Sequence, residues 1–189
     1  MRARFSPSEA AAFAWNAGAH KRWARVFRGG EWWWELGGDW GQGVAQGLVL
    51  AGPVLEVEAR VDLSSPTAGG VSWAWAVDVL ARRGGVDGLG LEADVQLSVG
   101  LSREALEVSG RCVAGGPRKV TLPPGKATSG PRTVSWKVEG GSVRVALDGE
   151  PLLEAEVSAC LPGVLMLGAG ANGSLESNTR VGTITVDWR

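Results

Sequence analysis

Several residue types that common active sites need are scarce or absent in this sequence. Its 189 residues include no Tyr, one His and two Cys. The single imidazole, that of His20, excludes metal sites built on two histidines, and nothing local orients it as a catalytic base. The thiols of Cys112 and Cys160 do not form a CxxC motif, and whether they pair in a disulfide stays open. We predict no catalytic residue, no metal site and no cofactor.

Long apolar segments and a strong net charge are also missing. No apolar run approaches the roughly 20 residues that span a bilayer, and no apolar segment follows the basic start as in a secretion signal. The formal net charge of −1 argues against binding to nucleic acid over the whole surface. We therefore expect no membrane span and no nucleic-acid partner. We expect a cytoplasmic location, or a secreted protein if a leader has been removed.

Charge is distributed unevenly between the start of the chain and the rest. Residues 1–30 carry six basic residues against Glu9 alone, a net charge of +5, so the remaining residues carry −6. One interpretation is a segment that packs on an acidic body. The other is an arm that binds a partner protein or mediates self-association. We divide the chain into a basic N-terminal lead-in, 1–30, and a β-sandwich domain, 31–189.

The beginning of the lead-in has the pattern of a helix N-terminus. Ser6, Pro7 and Glu9 suit the N-cap, the first helical position and the reciprocal partner of a capping box. The alanine-rich run that follows, as far as Trp15, consists of good helix formers. We therefore predict a short N-terminal helical segment before the main domain.

From Glu31 onward the pattern changes to the alternation of apolar and polar residues that is typical of strands. The segment from Leu55 to Leu63 has apolar residues at one parity and charged residues at the other, which predicts one core face and one solvent face. Turn sequences recur at short intervals, among them Asp148-Gly149 between two apolar segments. About a dozen short strands are predicted in this way, and the fold class is an all-β sandwich.

Four segments in the last third of the chain occur in the order found in one superfamily. They are a Trp-led strand at 136–138, a strand ending in Asp-Gly at 143–150, a Gly-led apolar strand at 161–168 and a terminal strand at 181–186. In this order they resemble the C-terminal half of the concanavalin A-like lectin/glucanase jelly roll, which includes laminin-G-like domains. The resemblance implies a jelly-roll sandwich but no single function, because this scaffold carries lectins, hydrolases, adhesion modules and structural proteins.

Glycoside hydrolases of that superfamily place a Glu-x-Asp-x-x-Glu motif, or a near variant, on one strand. Glu92 and Asp94 resemble its first two carboxylates, but Gln96 or Leu97 stands where the third is expected. A retaining hydrolase needs a second carboxyl that protonates the leaving oxygen, and Gln cannot deliver that proton. We therefore expect no catalysis, unless a carboxylate from a neighbouring strand acts together with Glu92.

Tryptophan is the most abundant aromatic residue, with ten Trp against three Phe. Four indoles are predicted in pairs on strand faces, where they would stack on sugar rings, and four polar side chains are predicted to bind sugar hydroxyls. These candidate ligand-binding residues are Trp32, Trp34, Trp73, Trp75, Glu56, Glu58, Asp94 and Gln96. The alternative is that the indoles fill the core of a chain that has one Ile and no Tyr.

Taken together, the patterns favour a non-catalytic recognition module that binds a glycan or polysaccharide on a concave face lined by Trp and carboxylates. The alternative is a structural or assembly protein that uses its Trp-rich patch and its basic arm for protein contacts. A glycoside hydrolase that uses Glu92 is a third hypothesis. A loop calcium is not predicted, because the Asn and Glu residues before Thr179 lack the spacing of an EF-hand loop.

Overall fold

The computed structural model of the protein contains sixteen strands in the part of the chain that it describes. The described residues are 1–8, 15–16, 21–38, 43–45, 48–50, 54–66, 68–76, 95–159, 163–171 and 179–189. In chain order the strands are β1 (Arg2–Phe5), β2 (Trp15–Asn16), β3 (Lys21–Arg28), β4 (Glu31–Gly38), β5 (Gly43–Ala45), β6 (Leu48–Leu50), β7 (Val54–Asp62), β8 (Ala68–Ala76), β9 (Val95–Ser102), β10 (Ala105–Ser109), β11 (Arg118–Thr121), β12 (Arg132–Glu139), β13 (Ser142–Leu147), β14 (Glu150–Glu156), β15 (Gly163–Ala171) and β16 (Thr179–Trp188).

The strands form two antiparallel sheets of eight strands each. In sheet A the order is β14-β13-β12-β7-β16-β4-β3, and β1 pairs with β16. In sheet B the order is β11-β10-β9-β8-β15-β5-β2, and β6 pairs with β15. Strands distant in sequence are neighbours in both sheets, as in Greek-key and jelly-roll sandwiches. The all-β sandwich that the sequence predicts is confirmed.

Side chains from the inward faces of both sheets form one core. In β7, Val57, Ala59 and Val61 are fully buried and the residues between them point outward, as the alternation in the sequence predicts. The largest fully buried side chains are indoles, namely Trp73, Trp75 and Trp136. These rings supply the core volume that a chain poor in Ile, Phe and Tyr must find elsewhere.

Two tight turns connect β12, β13 and β14 in sequence. Asp148 and Gly149 both have positive φ, at 53° and 81°, as a type I′ turn requires. The carboxylate of Asp148 accepts the backbone N–H of Thr133 at 2.8 Å and pairs with Arg132 at 2.9 Å. The turn is therefore fixed to β12 as well as to its own hairpin, and the tight turn predicted at Asp148-Gly149 is confirmed.

The predicted N-terminal helical segment is not supported. Residues before and after it form β1 and β2, and Ser6 to Ser8 form a turn in which the Ser8 N–H donates to Ser6 Oγ at 3.3 Å. β1 pairs with β16 along its whole length and buries Phe5. At the end of the predicted segment, Trp15 pairs in β2 with Ala45 of β5, and pairing with a distant strand outweighs the local helix propensity that the sequence signals. Residues 9–14 lie outside the described residues.

The stretch from Gly115 to Pro131 contains four prolines and four glycines, a composition typical of a loop, and yet it includes one strand. Residues 118–121 form β11, which pairs with β10 at the end of sheet B. The prolines of this stretch stand at 117, 123, 124 and 131, outside the paired residues, so none of them removes a hydrogen bond from the ladder. The residues on both sides of β11 have the composition of loops, and β11 itself is a short edge strand.

Candidate functional site

The outward face of sheet A carries an open groove of about 690 Å³. β7 and β16 form its floor, and β1, β12 and the beginning of β4 contribute its sides. Its lining consists of three arginines, four carboxylates, five hydroxyl side chains and one indole, that of Trp32. A concave surface with convergent polar groups and a single aromatic ring is a common form of ligand site.

A break in the strand pairing positions this groove. On the flank of β16 that faces away from β7, β4 pairs with Thr179–Val181 and β1 pairs with Ile184–Asp187. Gly182 and Thr183 fall between these two stretches, and the ladder to β7 also shifts register there. The ends of β1 and β4 therefore meet at the break, which brings side chains from both ends of the chain to one place.

Glycine at this break allows a close approach between two strands. A Cβ atom at position 182 would lie 2.9 Å from Arg60 Cβ and 3.2 Å from Trp33 Cζ3. The ring of Trp33 is buried, and its Nε1–H donates to the carbonyl of Arg28 at 3.3 Å. Trp33 thus packs over the bare backbone of Gly182 and closes the sheet beside the groove.

Outward-facing side chains stand in rows across the strands of the groove floor. Glu58 lies beside Ser135 on one neighbouring strand and beside Thr185 on the other, and Thr185 lies beside Arg4. Directly opposed residues in antiparallel strands have Cβ atoms about 4.5–5.5 Å apart. This row therefore presents a carboxylate, two hydroxyls and a guanidinium to one small ligand.

The adjacent row contains more charge. It runs from Lys137 through Glu56 and Asp187 to Arg2. Arg2 Nη2 lies 2.8 Å from Asp187 Oδ2, so these two charges compensate each other. Lys137 pairs with Glu139, farther along its own strand, at 3.1 Å.

Among the described residues, the other charged groups of the groove include one ion pair and three groups without an ion-pair partner. Arg60 Nε lies 3.6 Å from Glu31 Oε2, which compensates both of those charges. Glu56, Glu58 and Arg4 have no ion-pair partner among the described residues. Two carboxylates and one guanidinium are therefore available to hydrogen-bond a ligand.

Trp32 is the aromatic residue among those that line the groove. Its side chain is 41% exposed, and it lies next to the Gly29-Gly30 turn that joins β3 to β4. Its ring centroid is 5.4 Å from that of Phe27, at an interplanar angle of 59°, and the guanidinium of Arg25 lies 5.6 Å from the ring centroid. The cation and the tilted ring hold the indole in place from the side of β3.

A half-buried charge network fixes β4, β16 and β7 together next to the groove. Arg180 lies 2.6 Å from Glu35 and 2.7 Å from Asp62, one carboxylate on each neighbouring strand. Burial acts to raise the pKa of Asp62, but hydrogen bonds from Ser64 and the ion pair with Arg180 outweigh it and hold the pKa below its ordinary value. Burial acts to lower the pKa of Arg180, and its two carboxylates raise it above its ordinary value.

The groove contains three of the predicted ligand-binding residues. Trp32, Glu56 and Glu58 line it together. The other predicted residues that the structure describes have buried side chains, with exposed fractions of 4% for Trp34, 1% for Trp73, 1% for Trp75 and 5% for Gln96. Their position corresponds to the core-packing alternative, because an indole between the two sheets offers no face to a ligand in solution.

The remaining predictions concern residues that the structure does not describe. Asp94, like Glu92, lies in 77–94, and the polar stretch 172–178 also lies outside the described residues. Cys112 is buried, and its Sγ lies 3.9 Å from Gln96 Oε1, whereas Cys160 is outside the described residues. Within the described ranges, no group of three His, Cys, Asp or Glu side chains is placed to hold a metal ion.

Sequence reasoning missed the contributions of β1 and β16 to the groove. Arg4, Thr183 and Thr185 are outward-facing residues that alternate with Ala3, Ile184 and Val186, which pack in or against the core. That alternation is visible in the sequence, but nothing local shows that the two strands are neighbours. Among the described residues, no helix is long and apolar enough to cross a membrane.

Comparison with known proteins shows the fold. No family model matches the chain, and no curated protein matches it in sequence. A protein of unknown function with a galectin-like fold from Bacillus subtilis superimposes with a TM-score of 0.66 at 10% identity, over 98% of this chain and 94% of that one. The chain has a concanavalin A-like jelly-roll fold.

Two further solved structures share this jelly roll. The carbohydrate-binding module CBM66 from Bacillus subtilis has a TM-score of 0.53 and 11% identity, over 90% of this chain and 91% of that chain. A family 16 glycoside hydrolase, an endo-glucanase from Bacteroides ovatus, has a TM-score of 0.60 and 7% identity, over 97% of this chain and 99% of that chain. The jelly roll of this chain is thus also found in a carbohydrate-binding module and in a hydrolase.

Proposed function

We propose that the protein is a non-catalytic recognition module that binds a glycan in the groove on the outward face of sheet A. The observation that carries the proposal is that Trp32, an exposed aromatic residue, lines the same groove as Glu56 and Glu58, two carboxylates that have no ion-pair partner among the described residues. A carbohydrate-binding module with the same jelly roll supports the class of ligand.

The groove has the chemistry that sugars require. The C–H face of a sugar ring is apolar and stacks on an indole, whereas its hydroxyls donate to carboxylates and exchange hydrogen bonds with Thr and Ser side chains. Thr183 and Thr185 on β16 and Thr133 on β12 bring hydroxyls to the groove on the two sides of β7, which carries the carboxylates. Binding therefore combines one stacking contact with several hydrogen bonds.

The balance of charge favours a neutral glycan. Arg2 and Arg60 are compensated by Asp187 and Glu31 within the groove. The remaining charges are two carboxylates and the guanidinium of Arg4, so the groove as a whole does not attract a polyanion. We infer a neutral oligosaccharide as ligand, and the proposal includes no chemical step on it.

Titration calorimetry with soluble neutral gluco-, galacto- and fructo-oligosaccharides tests this proposal. We expect saturable binding to one class, and a loss of about tenfold in affinity, roughly 1.4 kcal/mol, in Trp32→Ala. Glu58→Gln should weaken binding by a similar factor, because an amide replaces a charged acceptor. The matched control is Glu154→Gln, which removes an exposed carboxylate outside the groove.

The possible outcomes separate the hypotheses. Unchanged affinity in both groove variants would reject the groove as the binding site, and failure to bind any member of the panel would reject the glycan proposal itself. Release of reducing sugar, abolished by Glu92→Gln, would instead identify a hydrolase whose active site includes residues outside the described part of the chain.

A further inference from the structure

The strand β3 forms one end of sheet A. It pairs with β4 through eight consecutive residues without a register shift, and the described residues place no strand on its other edge. Its sequence, KRWARVFR, contains four basic residues and neither a carboxylate nor a proline. An edge of this length presents a row of backbone groups that another extended segment can pair with.

Two exposed aromatic rings lie beside this edge. Phe27 is 59% exposed and contacts Trp32, which is 41% exposed. Together with Met1, they are the large apolar side chains that stand exposed in the described part of the chain. The guanidinium of Arg25 lies over Trp32 on the same side of the hairpin. Trp, Phe and Arg are enriched in protein interfaces, and Trp and Arg dominate their binding energy.

The opposite end of sheet A is protected against strand addition. There β14 contains Pro151 and three exposed glutamates, and it packs against β10 and β11 of sheet B. Proline, charge and coverage are the devices by which proteins block a sheet edge. Of these three devices β3 has only charge, and all of its charged residues are basic.

The charge of β3 determines which strand can add to it. A second copy of β3, paired with it over its full length in the antiparallel sense, would place Lys21 opposite Arg28 at both ends of the ladder and would add no opposite charge for Arg25. A strand that carries carboxylates would place opposite charges across the new ladder. The edge therefore favours an acidic partner over its own copy.

We propose that β3 is a docking edge for an extended acidic segment of a partner protein, which pairs with the backbone of β3 and covers Phe27 with an apolar side chain. The backbone pairing gives affinity, and Arg25 and Phe27 give the preference for acidic and apolar side chains. Neither Arg25 nor Phe27 lines the groove, but both contact Trp32, so the two interactions are separated at Glu58 on β7, which lies away from β3.

Fluorescence anisotropy with a short labelled peptide in which Glu alternates with Val and Phe tests the proposal. We expect saturable binding that weakens as salt is raised, and no binding of the same peptide with Lys in place of Glu. Arg25→Glu and Phe27→Ala should each lower the affinity about tenfold. The control Arg118→Glu reverses an exposed basic residue on β11, the edge strand of sheet B, and should leave the affinity unchanged.

Hydrogen exchange separates strand addition from non-specific attraction. If the acidic peptide adds as a strand, the backbone amides of β3 become protected when it binds and those of β11 do not. Binding that persists in Arg25→Glu, or that leaves β3 unprotected, would overturn the proposal, as would an absence of binding. Adsorption to anionic phosphatidylserine vesicles that is lost in Arg25→Glu, without peptide binding, would overturn it in favour of a membrane surface. Glu58→Gln, a change on β7 away from β3, should weaken glycan binding and leave the affinity for the peptide unchanged, so the two proposals can fail separately.

Discussion

The inward and outward faces of sheet A are built from the same strands but have different tasks. On the inward face of β7, Val57, Ala59 and Val61 are fully buried against sheet B. On the outward face, Glu56 and Glu58 stand in the groove between their neighbours on β12 and β16. Because the two sets alternate along one strand, the stability of the sandwich and its surface chemistry can be changed almost independently.

The largest effect is expected where an inward ring is removed. Trp136→Ala should lower the free energy of unfolding by about 3–5 kcal/mol, because a fully buried indole leaves a cavity. Trp136→Phe should cost far less, since the indole N–H has no acceptor among the described residues and Phe removes that buried donor. Urea denaturation measures the free energy of unfolding of both variants. Equal losses in the two variants would contradict this account of the core.

The second-largest loss of stability is expected in the charge network beside the groove. Arg180→Met removes the ion-pair partner shared by Asp62 and Glu35, whose side chains are only 7% and 14% exposed, and leaves only Glu35 with a second partner, Arg28 at 3.4 Å. We expect a loss of about 2–4 kcal/mol, because the charges left behind are largely shielded from water. Thermal unfolding with the exposed Arg144→Met as control checks this prediction, and equal losses in the two variants would refute it.

The same network predicts how stability depends on pH. The pKa of Asp62 is lower in the folded protein than its ordinary value of 3.8, so its contribution to stability is complete above that value. The contribution is lost as pH falls below about 4 and through the folded pKa, where the native carboxylate takes up its proton. In Asp62→Asn the free energy of unfolding should decrease less as the pH falls through this range. Denaturant midpoints measured between pH 2 and 6, a range of about four units around the ordinary pKa, test this.

The smallest effect is expected at an exposed pair on the outward face. Arg2 and Asp187 form an ion pair, and the side chain of Arg2 is 68% exposed. Arg2→Gln should change stability by less than about 0.5 kcal/mol, because water and salt screen such pairs. A change above 1 kcal/mol, roughly the upper limit for exposed pairs, would show that the outward face contributes more to folding than its exposure suggests.

The parts of the fold that follow from local pattern could be predicted from the sequence. The alternation in β7 and the turn at Asp148-Gly149 depend on neighbouring residues alone. The N-terminal helix is not supported for the opposite reason, since Trp15 at the end of the predicted segment pairs with Ala45 of the distant β5. A helix propensity read locally does not include that distant strand.

The candidate site was only partly predictable for a related reason. Composition indicates that Trp residues must fill the core or bind a ligand, but it does not say which parity of a strand faces inward. Trp34 packs in the core and Trp32, two residues earlier, stands at the exposed end of the same strand. The difference depends on where the strand ends relative to its neighbours, which is a property of the assembled sheet.

The break between β4 and β1 along β16 has a consequence for how such a groove can change. The length of the break equals the distance between the beginning of the β4 pairing and the end of the β1 pairing, on either side of Gly182 and Thr183. Extending either segment by one paired residue would shorten the opening by about 3.4 Å, and trimming one would lengthen it by the same step. The inward-facing residues of β7 and β16 would stay in place. This opening in the sheet can therefore be adjusted in increments of one residue at its margin, without redesign of the core.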